Sequence, residues 1–339
     1  MTEAPRPADQ MFGMIAGFWV SRAIHAVAAL EIPDLLDGSP ATADQLAGKT
    51  GTQAPALYRL LRAVASVGLL TEDDKNAFTL TPLGATLRKD APDSLHAFAV
   101  TELGGGHYRA WGDLLHSIRT GEIAFDHVHN MSIWEYFFVH NQADGQVFNK
   151  SMTELTGTVA AEVVSQYDFT PYRVIVDVGG GQGAFLSAVL RSHPNGSGVL
   201  FDAPSVIAGA AANLKAAGVA DRCRTEAGSF FDSVPTGGDL YLLKWVIHDW
   251  DDADSGVILR NVRAAMTPGS RLLIVDTVVP TGDTPSPSKF IDLDMMIANG
   301  GRERTAAEFD KLVGTAGFRL ERIIGTNSPS GIVECVAVD

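Results

Sequence analysis

Basic residues are scarce in this chain: 26 lysines and arginines stand against 40 acids, a formal net charge of -14. Nucleic-acid binders use basic surface to neutralise phosphates, so DNA and RNA are not expected as partners. Cysteine is nearly missing, with Cys223 and Cys335 alone and far apart, without a CxxC or a histidine-rich companion. That argues against a disulfide framework and gives no zinc spacing, and a reducing cytoplasm fits. No other metal-ligand spacing is visible, so metal-independent chemistry is expected. The start, "MTEAPRPADQ", has acids and prolines where a secretory signal would be basic and then apolar. Residues 11–30 form the most apolar early stretch, but Arg22 and His25 interrupt it, leaving it short of the roughly 20 residues that span a bilayer. No membrane partner is expected.

What is present is an ordinary globular composition, 46% hydrophobic over 339 residues, with room for two medium domains. Met11, Phe12, Met14, Ile15, Phe18, Trp19, Val20, Ile24, Val27 and Leu30 leave the first helix almost without a polar face. A small domain rarely covers such a helix alone, so burial against a second subunit, making a homodimer, is expected ahead of a central core position. "ATADQLAGKTG" then places Thr42 as a helix N-cap with Gln45 completing a capping box. Leu57, Leu60, Leu61, Val64 and Val67 follow at helical spacing, and "LLTEDDKNAFTLT" reads as a hairpin turning through Asp73 to Asn76. Helix, turn, helix and hairpin make a winged helix. Its second helix offers only Arg59 and Arg62 and its wing carries Glu72, Asp73 and Asp74, which argues against DNA reading. Residues 92–165 read as helical, with Trp111, Trp134, Phe137, Phe138, Phe148 and Met152 able to line a pocket or to pack as core.

From Tyr172 strands alternate with amphipathic helices: "RVIVDVG", "GVLFDAP", "LYLLKWVIH" and "RLLIVDTVVP" are each followed by one, and "RLERIIGT" and "GIVECVAVD" close as a hairpin. This predicts a doubly wound, Rossmann-like α/β domain ending in an antiparallel hairpin. Gly179, Gly180, Gly181 and Gly183 lie between a buried strand and a helix, where glycine permits a tight turn and close approach of a ligand. Asp177 sits in the strand before them. Asp202 ends the next strand, placed to accept hydrogen bonds from ribose hydroxyls or, alternatively, to cap a helix near Pro204. In "LYLLKWVIHDWDD" the residues Leu240, Leu242, Leu243, Val246 and Ile247 read as one buried strand, which makes Lys244 and His248 costly there. Each is then a paired structural residue or a site residue at the strand's carboxyl end. Asp251 or Asp252 caps the following helix.

Five segments in order, "VDVGGGQG", "FDAPSVI", "KWVIHDW", "IVDTVVP" and "NGGRERTAAEF", carry a resemblance across nearly the whole chain. The sequence resembles the S-adenosylmethionine-dependent small-molecule O-methyltransferases related to plant caffeic acid O-methyltransferase, of the bacterial natural-product type. The resemblance implies a winged-helix dimerisation domain over residues 1–100, a helical linker and pocket segment over 101–165, and a methyltransferase domain over 166–339. It implies cofactor contacts from Asp177, Gly179, Gly181, Asp202, Ser229, Phe230 and Lys244, and a catalytic base at His248 flanked by Asp276 and Glu303. Trp134, Phe148, Met152, Met295 and Asn299 are the expected substrate residues, for a planar aromatic acceptor. Ser229 departs from the family's aspartate before "FFDSVP"; either cofactor binding is weaker or Asp232 compensates.

The implied reaction moves a methyl from S-adenosylmethionine to an aromatic hydroxyl, leaving S-adenosylhomocysteine. A phenol with a pKa near 10 is a poor nucleophile at neutral pH, and an imidazole can remove its proton as the oxygen attacks. The rivals are a family member performing hydroxylation, decarboxylation or a pericyclic step, a nicotinamide oxidoreductase, and a ligand-sensing winged-helix regulator.

Overall fold

The computed structural model describes residues 6–338, which form two compact units, one up to Tyr108 and one from Arg109 onward.

In the first unit a helix runs over Pro7–Ala29, with proline at its first position, where a missing N–H costs nothing. Its expected burial is not met within the chain: Met11, Phe12, Met14, Ile15, Phe18 and Trp19 are all exposed, and only Val27 and Ala28 near its end are buried. Arg22 and His25 fall inside this helix rather than ending it. By length and composition alone it could cross a membrane, so the charge interruption does not exclude that as the sequence suggested. The capping box forms as expected, with Gln45 N–H donating to Thr42 Oγ1 and Thr42 N–H to Gln45 Oε1. Gly51 then ends the helix Ala43–Thr50 in the left-handed region, and Leu57, Leu61 and Val64 of the helix Ala54–Ser66 enter the core. Strands β1 (Ala41–Thr42), β2 (Leu70–Glu72) and β3 (Ala77–Leu80) make a small antiparallel sheet in the order β1-β3-β2. The wing's turn is fixed by Asp73, whose carboxylate accepts from the N–H groups of Lys75 and Ala77.

The second unit opens with short helices and a π-helical turn, Tyr136–His140, that leads into the long helix Gln142–Gln166. Gly145 allows this junction, since a Cβ there would sit 2.3 Å from the carbonyl oxygen of Phe137. The sheet behind it contains β4 (Val174–Val178), β5 (Ser197–Asp202), β6 (Cys223–Ala227), β7 (Leu240–Lys244), β8 (Arg271–Thr277), β9 (Phe318–Ile324) and β10 (Ser330–Ala337). Their order is β6-β5-β4-β7-β8-β10-β9, parallel except that β10 runs antiparallel to both β8 and β9. Alternate residues feed two cores: Val176, Tyr241 and Leu243 pack toward Ile258 and Phe309, while Ile175, Leu240 and Leu242 pack toward Val163 and Leu186. With both faces covered, the central strands read as unbroken apolar runs.

Two expectations change. The edge strand β6, "CRTEA", was not anticipated, because it is short, polar and largely exposed. Strand β7 stops at Lys244 instead of running to Ile247: Trp245 takes a left-handed φ of 54°, and a 3₁₀ turn, Ile247–Asp249, follows. His248 therefore sits on a turn beyond the strand's carboxyl end.

Candidate active site

The second unit holds a cavity of about 670 Å³ beyond the carboxyl ends of β4, β5 and β7, where ligands bind in doubly wound sheets. The glycine loop forms one wall. Gly179 and Gly181 have φ of 69° and 61°, which L side chains adopt only with strain. A Cβ at Gly179 would lie 2.7 Å from Val246 Cγ2, and one at Gly180 would lie 2.6 Å from Asp177 Oδ2. Asp202 lines the cavity and steadies the loop, accepting from Gly181 N–H at 2.7 Å and from Ala203 N–H at 2.6 Å. The N-cap of the next helix is Ala203, so Asp202 is not that cap. Beneath the loop Asp177 is fully buried, and neither of its carboxylate oxygens has a hydrogen-bond partner among the described residues. Burial pushes its carboxyl up to about 7. The orphaned acid, the glycine-rich loop and the Asp202 carboxylate on the lining together fit a polar ligand carrying hydroxyls and a cation.

Lys244 closes the floor. Its Nζ donates to Thr156 Oγ1 at 3.0 Å and lies 3.8 Å from the centroid of the Trp245 ring. Burial lowers the ammonium to about 8, against the pull of the Asp177, Asp276 and Asp249 carboxylates. The left-handed Trp245 is held by its indole N–H, which donates to Ser330 Oγ at 2.8 Å. Ser229 also lines the cavity, and its hydroxyl accepts from Phe231 N–H; Asp232 does not reach the lining and offers no replacement charge.

At the other end His248 Nδ1 lies 2.8 Å from Glu303 Oε1, which is buried, and His248 Nε2 lies 3.6 Å from Asp249 Oδ1, beyond hydrogen-bond length. Burial opposes the imidazolium, but the charges of Glu303, Asp249 and Asp276, with the Glu303 hydrogen bond, outweigh it and raise His248 to about 10. Asp276 is fully buried and unpaired among the described residues, and burial pushes it up to about 7. It makes no hydrogen bond to His248, so only Glu303 of the two expected acids orients the ring directly.

The turn bearing His248 is clamped from residues 299–304. Arg302 N–H donates to the His248 carbonyl at 2.8 Å, and Arg304, only 1% exposed, donates to the carbonyls of Ile247 and Trp250 at 2.9 Å each. Asn299 Nδ2 donates to Asp249 Oδ1 at 2.8 Å. Gly301 is obligatory, because a Cβ there would fall 2.0 Å from the His248 carbonyl oxygen.

Comparison with known proteins decides what this arrangement belongs to. Residues 111–319 match the O-methyltransferase domain, and residues 12–90 match the O-methyltransferase dimerisation domain. The chain belongs to the O-methyltransferase family. This methyltransferase is 46% identical to the phenazine O-methyltransferase of Lysobacter antibioticus, over 95% of its own length and 94% of that protein. It is 42% identical to the O-demethylpuromycin-O-methyltransferase of Streptomyces alboniger, over 96% and 86% of the two chains. A solved methyltransferase of calicheamicin biosynthesis in its S-adenosylhomocysteine-bound form superposes with a TM-score of 0.85 at 34% identity, covering 99% of this chain and 100% of that one. The enzyme is S-adenosylmethionine-dependent, as the sequence resemblance implied.

Of the residues singled out in the sequence, Trp134, Phe148, Met152, Gly179, Gly181, Asp202, Ser229, Phe230 and Lys244 line the methyltransferase's cavity. Asp177, His248, Asp276 and Glu303 are not on the lining; His248 adjoins Asp249, which is. Met295 and Asn299 are not on the lining; Asn299 instead holds Asp249. Sequence reasoning missed Asp249, Thr156 and Arg304. The run of acids in "HDWDD" was the available signal for Asp249, but only Asp251 and Asp252 were weighed; Asp251 does cap the next helix, accepting from Asp254 N–H at 2.9 Å.

Proposed function

We propose that this enzyme transfers a methyl group to a hydroxyl of an aromatic small molecule, with His248 as general base. The observation that carries the reading is the asymmetry of the imidazole: Nδ1 is committed to Glu303, while Nε2 has no hydrogen bond among the described residues. A ring fixed in this way aims Nε2 at an acceptor hydroxyl; it is basic once the imidazolium that the surrounding acids favour has lost its proton, and Glu303 then stabilises the imidazolium re-formed as the hydroxyl's proton is taken. When bound, S-adenosylmethionine supplies an electrophilic methyl on a sulfonium, whose positive charge also opposes protonation of a neighbouring imidazole. Asp202 and the glycine loop hold the nucleoside, and Lys244 with Trp245 closes the floor beneath it. Trp134, Phe138, Phe148 and Met152 supply the apolar wall against which a planar acceptor rests. Direct displacement at the methyl carbon needs no covalent enzyme intermediate.

The test is mass-spectrometric screening of phenolic compounds with isotope-labelled methyl donor. Labelled methyl ethers are expected, and products altered without gain of the label would favour the non-methylating rival. The exposed apolar face of Pro7–Ala29, most of which falls in the matched dimerisation domain, supports a homodimer. Ultracentrifugation showing a folded monomer at micromolar concentration would overturn the dimer.

A further inference from the structure

We propose that Asp113, His116, Glu122 and His127 form a binding site for one divalent transition-metal ion of the zinc, nickel and copper class, apart from the methyl-transfer cavity. All four lie in the second unit, and none is on the cavity lining. Two short helices bring them together. Asp113 is the N-cap residue of the helix Leu114–Thr120, which carries His116; His127 is on the helix Ala124–His129, and Glu122 lies in the turn between. Asp113, His116 and His127 each offer one ligand atom, and these three atoms lie within 4.8 Å of one another. Each imidazole faces an acid: His127 Nδ1 is 2.6 Å from Asp113 Oδ2, and His116 Nε2 is 3.1 Å from Glu122 Oε2. Aspartate is a residue type suited to capping a helix, yet the Asp113 side chain makes no cap hydrogen bond, and its carboxylate is given to His127 instead.

The backbone beneath the cluster is pinned. Gly121 ends the first helix with a left-handed φ of 77°, Glu122 N–H donates to Thr120 Oγ1, and the Ala124 N–H that opens the second helix donates to Oγ of the buried Ser117. This turn lays one histidine flat on the other, with ring centroids 3.8 Å apart and planes 4° from parallel. Parallel rings send their lone pairs into separate planes, so one ring must swing out of the stack for both to share an ion. His127, with 55% of its side chain exposed, has room to do so, while His116, at 17%, stays in place. Ligand atoms about 2.1 Å from a tetrahedral ion stand ~3.4 Å from one another, so the three donors need to close by at most ~1.4 Å, which side-chain rotation supplies. Two imidazole nitrogens beside carboxylate oxygens suit zinc, nickel or copper; magnesium and calcium take oxygen ligands. The sequence shows no metal-ligand spacing here because the two histidines meet only across the turn.

The experiment uses the full chain without a polyhistidine tag, stripped of metal on a chelating resin and titrated with zinc chloride by calorimetry. One zinc per chain is expected, with a dissociation constant in the micromolar range, and magnesium chloride is expected to give no binding heat. His116→Ala and His127→Ala are each expected to weaken zinc by about 100-fold or more. Glu122→Gln is expected to weaken it by about tenfold, whether Glu122 enters as a fourth ligand or orients the ring that does. Zinc should raise the Tm of the wild type by a few degrees and leave that of His116→Ala unmoved. Circular dichroism checks that the variants fold, and methyl transfer is expected to persist in both alanine variants and in the metal-free wild type. His248→Gln controls for location: zinc lost in that variant and kept in both alanine variants would put the ion at His248 and overturn the site. Loss in only one alanine variant would remove the other histidine and with it the stated ligand set. No binding to the wild type at about 1 mM zinc would also overturn the site, leaving two histidine–carboxylate hydrogen bonds and nothing more.

Discussion

The two parts of the site are built in opposite ways. The glycine-loop wall of the cofactor end is local: Asp177, Gly179, Gly181 and Asp202 come from one strand, the turn after it and the strand hydrogen-bonded alongside. The histidine end is remote in sequence: His248 depends on Glu303 for its ring, on Arg302 and Arg304 for its backbone, and on Asn299 for the acid beside it. A loop that must approach a ligand closely is specified by what its residues lack. A base that must hold one orientation is specified by partners that arrive from elsewhere in the fold.

The comparison breaks most visibly at His248. In His248→Gln, methyl transfer is expected to fall by roughly 100-fold or more while cofactor binding stays within about threefold. Glutamine retains a hydrogen-bonding side chain and cannot take the proton. Turnover kinetics and calorimetry together check whether the two ends are separable; full activity in this variant would remove the base. The mirror experiment is Asp202→Ala, expected to weaken S-adenosylmethionine by about 1.5 to 3 kcal/mol, the loss for hydrogen bonds to a charged group. Calorimetry reads it directly, and unchanged affinity would leave the glycine loop to hold the cofactor alone.

A smaller effect sharpens the contrast. Glu303→Gln removes the strongest support for the imidazolium, so the acid limb of kcat/KM is expected to move down toward the ordinary imidazole value of about 6.5, and the plateau rate at high pH to fall about tenfold. The sign follows from Glu303 holding His248 above the ordinary imidazole value: lowering pH through the histidine's pKa protonates the base and removes activity. A pH profile unmoved by Glu303→Gln would mean that Glu303 acts only in packing. The smallest change is expected for Ser229→Asp, which restores an acid to the lining at a position where Asp232 supplies none, and should tighten cofactor binding by roughly 1 kcal/mol.

The same contrast explains what could be read from the sequence. The glycine loop, Asp177 and Asp202 were legible because strand, turn and acid follow one another within one α/β unit. His248 and Glu303 were legible as residues, through the costly histidine in an apolar run and the resemblance carried by "NGGRERT". The geometry joining them was not. Trp245 obeys no local preference in taking a positive φ, so the strand was drawn too long. Arg304 looks in sequence like any solvated charge, and only the fold shows it buried on two carbonyls. Met295 and Asn299 fell in the right segment, but a run next to a site does not say which of its side chains face the ligand. In the first unit, the apolar helix Pro7–Ala29 was recognised as needing cover, and its own domain leaves most of it bare.

The order of the large sheet has a consequence for how the chain reaches this state. Strand β10 lies between β8 and β9, although it follows both in sequence. As a nascent chain lengthens, β8 therefore remains an open edge, "RLLIVDT", until residues 330–337 are available to pair with it. Unpaired apolar edges recruit other chains, so this is the interval in which a growing or truncated molecule is most prone to aggregate. It is also the moment at which Ser330, on β10, first becomes able to receive the indole N–H of Trp245. The floor of the cofactor site is thus completed only once β10 has been made, and a chain cut short before residue 330 would carry its glycine loop in full and its Trp245 untethered.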